Sequence, residues 1–354
     1  MLILQNLTYI HPNKDLLFEH IYLTINNGEK IALIGNNGSG KSTLLKIIAN
    51  ELDASSGQIN LDSKAYYVPQ IFGQYSELTI AQALGIEQRL HALKEILKGN
   101  TTEDHFMALD DDWTIEERCS EAFNYWRLSD LDLRQKMGTL SGGQKTKVLL
   151  AGISIHQSEF VLLDEPSNHL DADARTLLYD FLRNTSCTLL VVSHDRLLLN
   201  LFDKTAELSK DGITIYGGHY DFYAMQKQIG LNALEQDVKS KEKALRKARE
   251  KQHETLERQQ KLDARGKKKQ EKAGIATIMM NTLRNSAEKS TAKIKGVHGD
   301  KIDDISQKLQ ALRKELPNID KIKFGFDDTA LHKGKILFKA TGINFSYNKQ
   351  LLWP

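Results

Sequence analysis

The polarity pattern changes character twice along this chain, and each change marks a different kind of structure. From Leu2 to Ile59, short β-rich runs (LILQNLTYI, IYLTI and KIALIG) are separated by polar turns, and AYYVPQ at Ala65–Gln70 reads as a further strand. A helix is expected from Lys41 to Asn50 directly after KIALIG, giving the order strand, glycine-rich turn, helix. Between Glu77 and Gly138 the pattern becomes largely helical, with Leu84, Leu90, Leu93 and Leu97 on plausible helix faces. Continuous apolar runs return at FVLLD (Phe160–Asp164) and TLLVVSHD (Thr188–Asp195), as expected for strands buried on both faces of a mostly parallel sheet. An α/β core carrying a helical insert is the predicted fold.

The second change comes near Tyr223, after a last strand pair around Ile213–Tyr216. Helical composition then runs to about Leu262 with no proline and one glycine, and DARGKKKQEKAG is expected to break it. A second helix places Ile302, Ile305, Leu309, Leu312 and Leu316 at alternating spacings of three and four, the seam of a two-stranded antiparallel pair, and Pro317 ends it. The picture is an antiparallel α-helical hairpin with the lysine cluster at its tip, Arg265–Gly274.

The 354 residues are 40% apolar and 27% charged, ordinary values for a globular chain long enough for two cores. No apolar run approaches the ~20 residues that span a bilayer, and the first residues lack the pattern of a signal peptide, so no membrane insertion is expected. Cys119 and Cys187 stand in no ligand or disulfide pattern, which fits a reducing, cytoplasmic setting. The net charge of +2 hides an asymmetry: Lys239–Lys272 holds 14 Lys or Arg against 6 Asp or Glu, giving +8 there and −6 elsewhere. Such a segment suits a polyanion.

GNNGSGKST occupies Gly35 to Thr43, comprising Gly35, Asn36, Asn37, Gly38, Ser39, Gly40, Lys41, Ser42 and Thr43. In GxxxxGK[ST], glycines let backbone N–H groups close around phosphate oxygens while the helix N-terminus adds partial positive charge. Lys41 is expected to contact the β and γ phosphates of ATP, and Ser42 to offer its hydroxyl to Mg²⁺. Asp164 ends an apolar strand and would deliver a carboxylate to that metal, while Glu165 is placed to orient or deprotonate an attacking water. Gln70 and His194 each end a predicted strand with a neutral hydrogen-bonding group suited to the γ-phosphate, its metal and its water, although each alone is as readily structural. LSGGQ contributes Ser141, Gly142, Gly143 and Gln144, which either contact nucleotide or simply cap the helix Gln144–Gly152.

GINFSYNKQLLW at Gly342–Trp353 matches NLTYIHPNKDLLF at Asn6–Phe18, with one residue omitted opposite Pro12. A second copy of the first domain is therefore expected to begin there and to stop at Pro354, before any second phosphate loop.

Together these motifs resemble the ATP-binding cassette (ABC) ATPases, whose fold is an ABC-type P-loop NTPase domain with a helical subdomain. The resemblance implies that Gln70 lies in the Q-loop, Ser167–Asp171 in the D-loop, and that His194 is the switch histidine. DEPSNHLD, SHDR, GGHYDFY at Gly217–Tyr223 and the charged hairpin narrow it to subfamily F. Members of that subfamily are soluble and act on the ribosome, some as translation factors and some as antibiotic-protection proteins. They place the hairpin near the peptidyl-site tRNA and rRNA.

The expected domains are a cassette over 1–224 with a helical subdomain at about 76–150, a hairpin linker over 225–320 with a basic tip at 261–274, and the start of a second cassette over 321–354. Family cassettes stack an aromatic ring on adenine, and the repeat puts Tyr347 at that position in the second copy but His11 in the first. His11 is either the adenine contact or an exposed loop residue. Phosphate contacts from Arg265, Lys267, Lys268, Lys269 and Lys272 are implied. The composite site of the family requires a second cassette, so LSGGQ is expected to serve another phosphate loop, in a self-dimer or otherwise, with slow hydrolysis by this chain alone. The rival readings are the motor subunit of an ABC transporter and a DNA-directed ATPase.

Overall fold

The structure is a computed structural model, which describes residues 1–272, 296–297, 299–313, 346–347 and 350–351. It divides into two compact units, Met1–Asn232 and Ala233–Pro354. The first holds two sheets. β1 (Leu2–Ile10), β2 (Leu16–Ile25) and β4 (Ser56–Leu61) make a three-stranded antiparallel sheet in the order β2-β1-β4. The larger, six-stranded sheet also takes β3 (Lys30–Ile34), β5 (Tyr66–Val68), β6 (Phe160–Asp164), β7 (Thr188–Val192), β8 (Lys204–Ser209) and β9 (Gly212–Gly217), in the order β5-β6-β7-β3-β8-β9. Only its β8–β9 pairing is antiparallel. The mostly parallel sheet is as the sequence predicts.

Every residue of β6 and β7 is buried, because both faces of the sheet are covered. Alternation assigns the faces: Phe160, Leu162, Leu190 and Val192 join Ile31 and Leu33 in one core, with α1 (Lys41–Ile48) and the small sheet. Val161, Leu163, Leu189 and Val191 join the other core, under α6 (Gly142–Ile155), α7 (Ala172–Asn184) and the insert. Each such side chain contributes roughly 1.5–3 kcal/mol when fully buried. The two layers fix the strand ends where the motifs sit.

The insert contains α2 (Ile80–Ala83), α3 (Glu87–Leu97), α4 (Glu103–Leu109) and α5 (Ile115–Tyr125). Leu84, Leu90 and Leu93 are buried as expected, but Leu97 is 71% exposed. Its helix ends there, with Lys98 as the C-cap residue, so no further turn covers it. Trp126 is fully buried beside Phe181 and Tyr125.

A short helix α8 (Arg196–Leu199) follows β7, and after β9 the chain enters α9, which runs unbroken for 53 residues from Tyr220 to Lys272. The break expected within Asp263–Gly274 therefore does not occur before Lys272. One glycine, Gly266, costs only about 1 kcal/mol in a run otherwise made of good helix formers. In the second unit, residues 299–313 are helical. Leu309 is buried there, Ile302, Ile305 and Leu312 are half-buried, and Arg313 pairs with Glu242 of α9 at 2.6 Å. Leu316, Pro317 and Gly274 lie outside the described residues.

The repeat also has a backbone counterpart. β10 (Ser346–Tyr347) pairs with β11 (Gln350–Leu351) in the register Ser346↔Leu351. In the first copy the aligned residues pair as Ile10↔Leu16. The two pairings join equivalent positions of the repeat.

Candidate nucleotide site

β3 ends at Ile34 and the chain turns through GNNGSG into α1 at Lys41. Gly40 makes that turn possible: its φ is +95°, and a Cβ would stand 2.8 Å from Leu17 Cδ2 and Phe18 Cδ1. A cavity of about 510 Å³ opens at the start of α1, lined by Asn37, Gly38, Gly40, Lys41, Ser42 and Thr43. Asp164 and Glu165 reach it from the end of β6, His194 from the end of β7, Gln70 from the end of β5, and His11 from the β1–β2 turn. The parallel strands deliver these groups to one edge of the sheet, where such folds bind ligands. Residues separated by up to 183 positions thus meet around a single opening.

Lys41 Nζ donates to the carbonyls of Gly35 (2.9 Å) and Asn36 (3.1 Å). Burial lowers its pKa, and the Glu165 and Asp164 carboxylates oppose that shift. Asp164, 3% exposed, lines the cavity together with Ser42 and accepts a hydrogen bond from Tyr67, whose hydroxyl lies 3.4 Å away. Glu165 has φ +52°, a left-handed conformation that a non-glycine residue adopts at a cost, and its N–H donates to Val192 O at 2.8 Å. Its Oε2 accepts the His194 backbone N–H at 3.2 Å. Its Oε1 lies 3.5 Å from His194 Nε2, buried and without a hydrogen bond. An unpaired buried carboxylate oxygen facing a cavity is suited to hold a water or a proton.

Burial raises the pKa of both Asp164 and Glu165, against the hydrogen bonds and nearby cations that lower them. The folded protein therefore binds these protons more tightly than an unfolded chain, whose ordinary values are 3.8 and 4.5. The stability this contributes is complete below those values and is lost as pH rises through the higher folded-state pKa values. Asp164→Asn is accordingly expected to raise the melting temperature of the nucleotide-free protein by roughly 2–4 °C at neutral pH, equivalent to about 1 kcal/mol. Thermal melts at pH 7 and pH 4 check this, since the gain should vanish at the lower pH.

LSGGQ is elsewhere. Ser141, Gly142, Gly143 and Gln144 line a separate cavity of about 540 Å³ with Lys147, His169, Leu170 and Asp171, and it shares no lining residue with the first. Ser141 and Gln144 form a capping box on α6, so the cap reading of this motif is realised in the geometry. Gly143 is required by close approach: a Cβ there would sit 2.8 Å from His169 O. Leu17, Asn168 and Val192 also line the nucleotide cavity, and Tyr67 supports Asp164 from outside that lining; the site residues read from the sequence include none of the four. Asn168 lies within the D-loop run, which was a usable signal; Leu17 and Tyr67 read only as strand residues.

The sequence matches the ABC transporter family over residues 18–168. Residues 18–168 are thus an ATP-binding cassette domain of the ABC type. Its relatives include the uncharacterized ABC transporter ATP-binding protein YkpA of Bacillus subtilis, 30% identical over 253 residues that cover 66% of this chain and 47% of that protein. ABC transporter F family member 2 of Arabidopsis thaliana is 29% identical, covering 68% of this chain and 33% of its own length. The tylosin resistance ATP-binding protein TlrC of Streptomyces fradiae is 30% identical, covering 60% and 43%. The chain thus spans between a third and a half of the length of these relatives. Among solved structures, the ATP-binding subunit of an ABC transporter superposes with a TM-score of 0.52 at 22% identity, covering 65% of this chain and 93% of that one, which establishes the cassette fold.

Cassettes of this family bind and hydrolyse ATP. The donors present here fit magnesium: a carboxylate, a hydroxyl and an amide oxygen from Asp164, Ser42 and Gln70 are hard oxygen ligands of the kind that hold the ion together with phosphates and water. Among the described residues no cluster of His, Cys, Asp or Glu suits a metal in its own right, and no helix is long and apolar enough to cross a membrane.

Proposed function

We propose that this chain is an ATPase of the ABC-F type whose nucleotide state governs binding to the ribosome. The observation that carries the ATPase part is the meeting of Lys41, Asp164, Glu165 and His194 around one cavity at the start of α1. In this reading the amides of Gly38–Thr43 and Lys41 hold the triphosphate, and His11 stacks on adenine. Ser42, Gln70 and Asp164 hold Mg²⁺, which neutralises charge on the phosphates. Glu165 orients and deprotonates the attacking water, and the His194 side chain, 66% exposed, reaches the γ-phosphate.

The separation of LSGGQ from this cavity supports a composite site that needs a second cassette, either in another copy of this chain or in a further domain. Slow hydrolysis by an isolated copy follows. Closure of two cassettes on ATP and their opening after hydrolysis make a two-state clamp.

The ribosomal part rests on the resemblance to subfamily F, on the F-family and tylosin-resistance relatives, and on the +8 charge of Lys239–Lys272. Contacts to rRNA and peptidyl-site tRNA through the helical linker, in the cytoplasm, are the corresponding assignments. Ribosome pelleting tests it: with Glu165→Gln and ATP the protein should co-sediment. Changing Lys267, Lys268 and Lys269 together to Glu should remove that co-sedimentation, and the parent's binding should fall steeply with salt. Unaltered pelleting of the triple variant would contradict the ribosomal assignment. A transporter motor is the second reading, favoured by Ile71, which is 72% exposed beside Gln70 where a membrane subunit would dock. Co-purification with a membrane protein would select it.

A further inference from the structure

GGHYDFY at Gly217–Tyr223 takes no part in phosphate chemistry, yet it is where β9 hands over to α9. The handover is fixed at several points. Gly218 has φ +155°, a Cβ there would stand 2.8 Å from Phe222 Cδ1, and its carbonyl accepts the Thr205 hydroxyl at 3.2 Å. Asn200 and Asp221 exchange two hydrogen bonds of 3.0 Å, one through the Asp221 backbone N–H. The first turns of α9 are therefore built into the cassette rather than merely attached to it.

Between this handover and the phosphate loop lies a small cavity of about 160 Å³. Gly35 and Asn36 wall it on one side, Ser193 on another, and Glu207, Tyr220 and Tyr223 on a third. Lys41 and His194 line both this cavity and the nucleotide cavity. Two side chains assigned to phosphate recognition thus form a common wall between the nucleotide and the base of α9.

Glu207 joins the two sides. It lies on β8 directly opposite Ile34, the residue before Gly35. Its carboxylate accepts the Tyr216 hydroxyl at 3.2 Å and the Lys227 ammonium at 2.8 and 2.9 Å, and Tyr223 lines the same cavity beside it, its pKa raised by burial and by the Glu207 charge. Tyr223 and Lys227 are four residues apart, on one face of α9. The carboxylate itself is only 19% exposed, and hydrogen bonds between charged partners are stronger than neutral ones.

We propose that Glu207 is a positioning residue that transmits nucleotide occupancy at the phosphate loop to the first turns of α9 through Tyr223 and Lys227. The inference rests on the reading of the Gly35–Thr43 cradle as the ATP site, and it assigns to GGHYDFY the role of receiver. A ligand shifts an equilibrium only by binding its two states with different affinity, and Lys41 and His194 supply that difference here because both also wall the receiving cavity.

Amide hydrogen exchange over residues 220–232, measured with and without MgATP alongside ATP affinity, tests it. In the parent protein ATP should slow exchange there by about fivefold or more, the lower end of usual coupling strengths. Lys227 is 44% exposed, so Lys227→Met should fold normally. It should bind ATP as the parent does and lose the slowing, and Lys227→Arg should restore it; Glu207→Gln should behave as Lys227→Met. Retention of the slowing in both Lys227→Met and Glu207→Gln overturns the coupling, as does ATP binding by the parent without any slowing. Absence of ATP binding in the parent overturns the nucleotide reading itself, and the coupling with it.

Discussion

Glu165→Gln is expected to slow ATP hydrolysis by about 10²–10⁴-fold while ATP continues to bind. Glutamine keeps the size of the side chain and an oxygen to accept the His194 backbone N–H, so the left-handed turn after β6 should survive. What disappears is the group that can take a proton from water. Burial already strengthens this carboxylate's hold on protons, which moves it toward the range where a base works near neutral pH. The substitution also removes one of two adjacent buried carboxylates, and Asp164 is among the groups that raise the Glu165 pKa. Nucleotide affinity should therefore hold or rise. Phosphate-release rates and equilibrium ATP binding, measured on the same preparation, separate these effects. A parallel loss of both would place Glu165 in the architecture of the site instead of its chemistry.

Lys41→Ala is expected to weaken ATP binding by about 100-fold, equivalent to about 3 kcal/mol, the upper end for a hydrogen bond to a charged group. The ammonium lies at the start of α1 and is held by the Gly35 and Asn36 carbonyls, so its position is set by the loop before any ligand arrives. Its removal also leaves Asp164 and Glu165 without a cation that opposes their burial. Both changes work against an anionic ligand. Arginine should not rescue the loss, because a planar fork cannot replace a compact ammonium within that carbonyl pair. Fluorescent-nucleotide titration of the three proteins is the check.

Much of this architecture is legible in the chain because the parallel strands are buried on both faces. FVLLD and TLLVV read as continuous apolar runs, and each ends at a residue of the site, so the same pattern that defines the sheet also locates Asp164 and His194. The phosphate loop is equally plain, since its glycines answer a backbone requirement visible at Gly40. What escapes is whatever depends on contact between distant positions. Tyr67 meets Asp164 across 97 residues, and nothing in AYYVPQ distinguishes it from Tyr66, which faces the other way to bond Leu149 O. Glu207 sits in an ordinary strand and is joined to the phosphate loop only by its pairing opposite Ile34. α9 continues past Leu262 to Lys272 because a lone glycine and a lysine cluster, which resemble a turn in sequence, cost too little to end a helix.

The most direct measurement is a crystal structure of the protein with magnesium and a non-hydrolysable ATP analogue. The expected density places the β and γ phosphates against the Gly38–Thr43 backbone and Lys41, with the metal touching Ser42 and Asp164 and the base beside His11. Nucleotide bound only at the Ser141–Gln144 cavity, or with its triphosphate away from Lys41, would contradict the account.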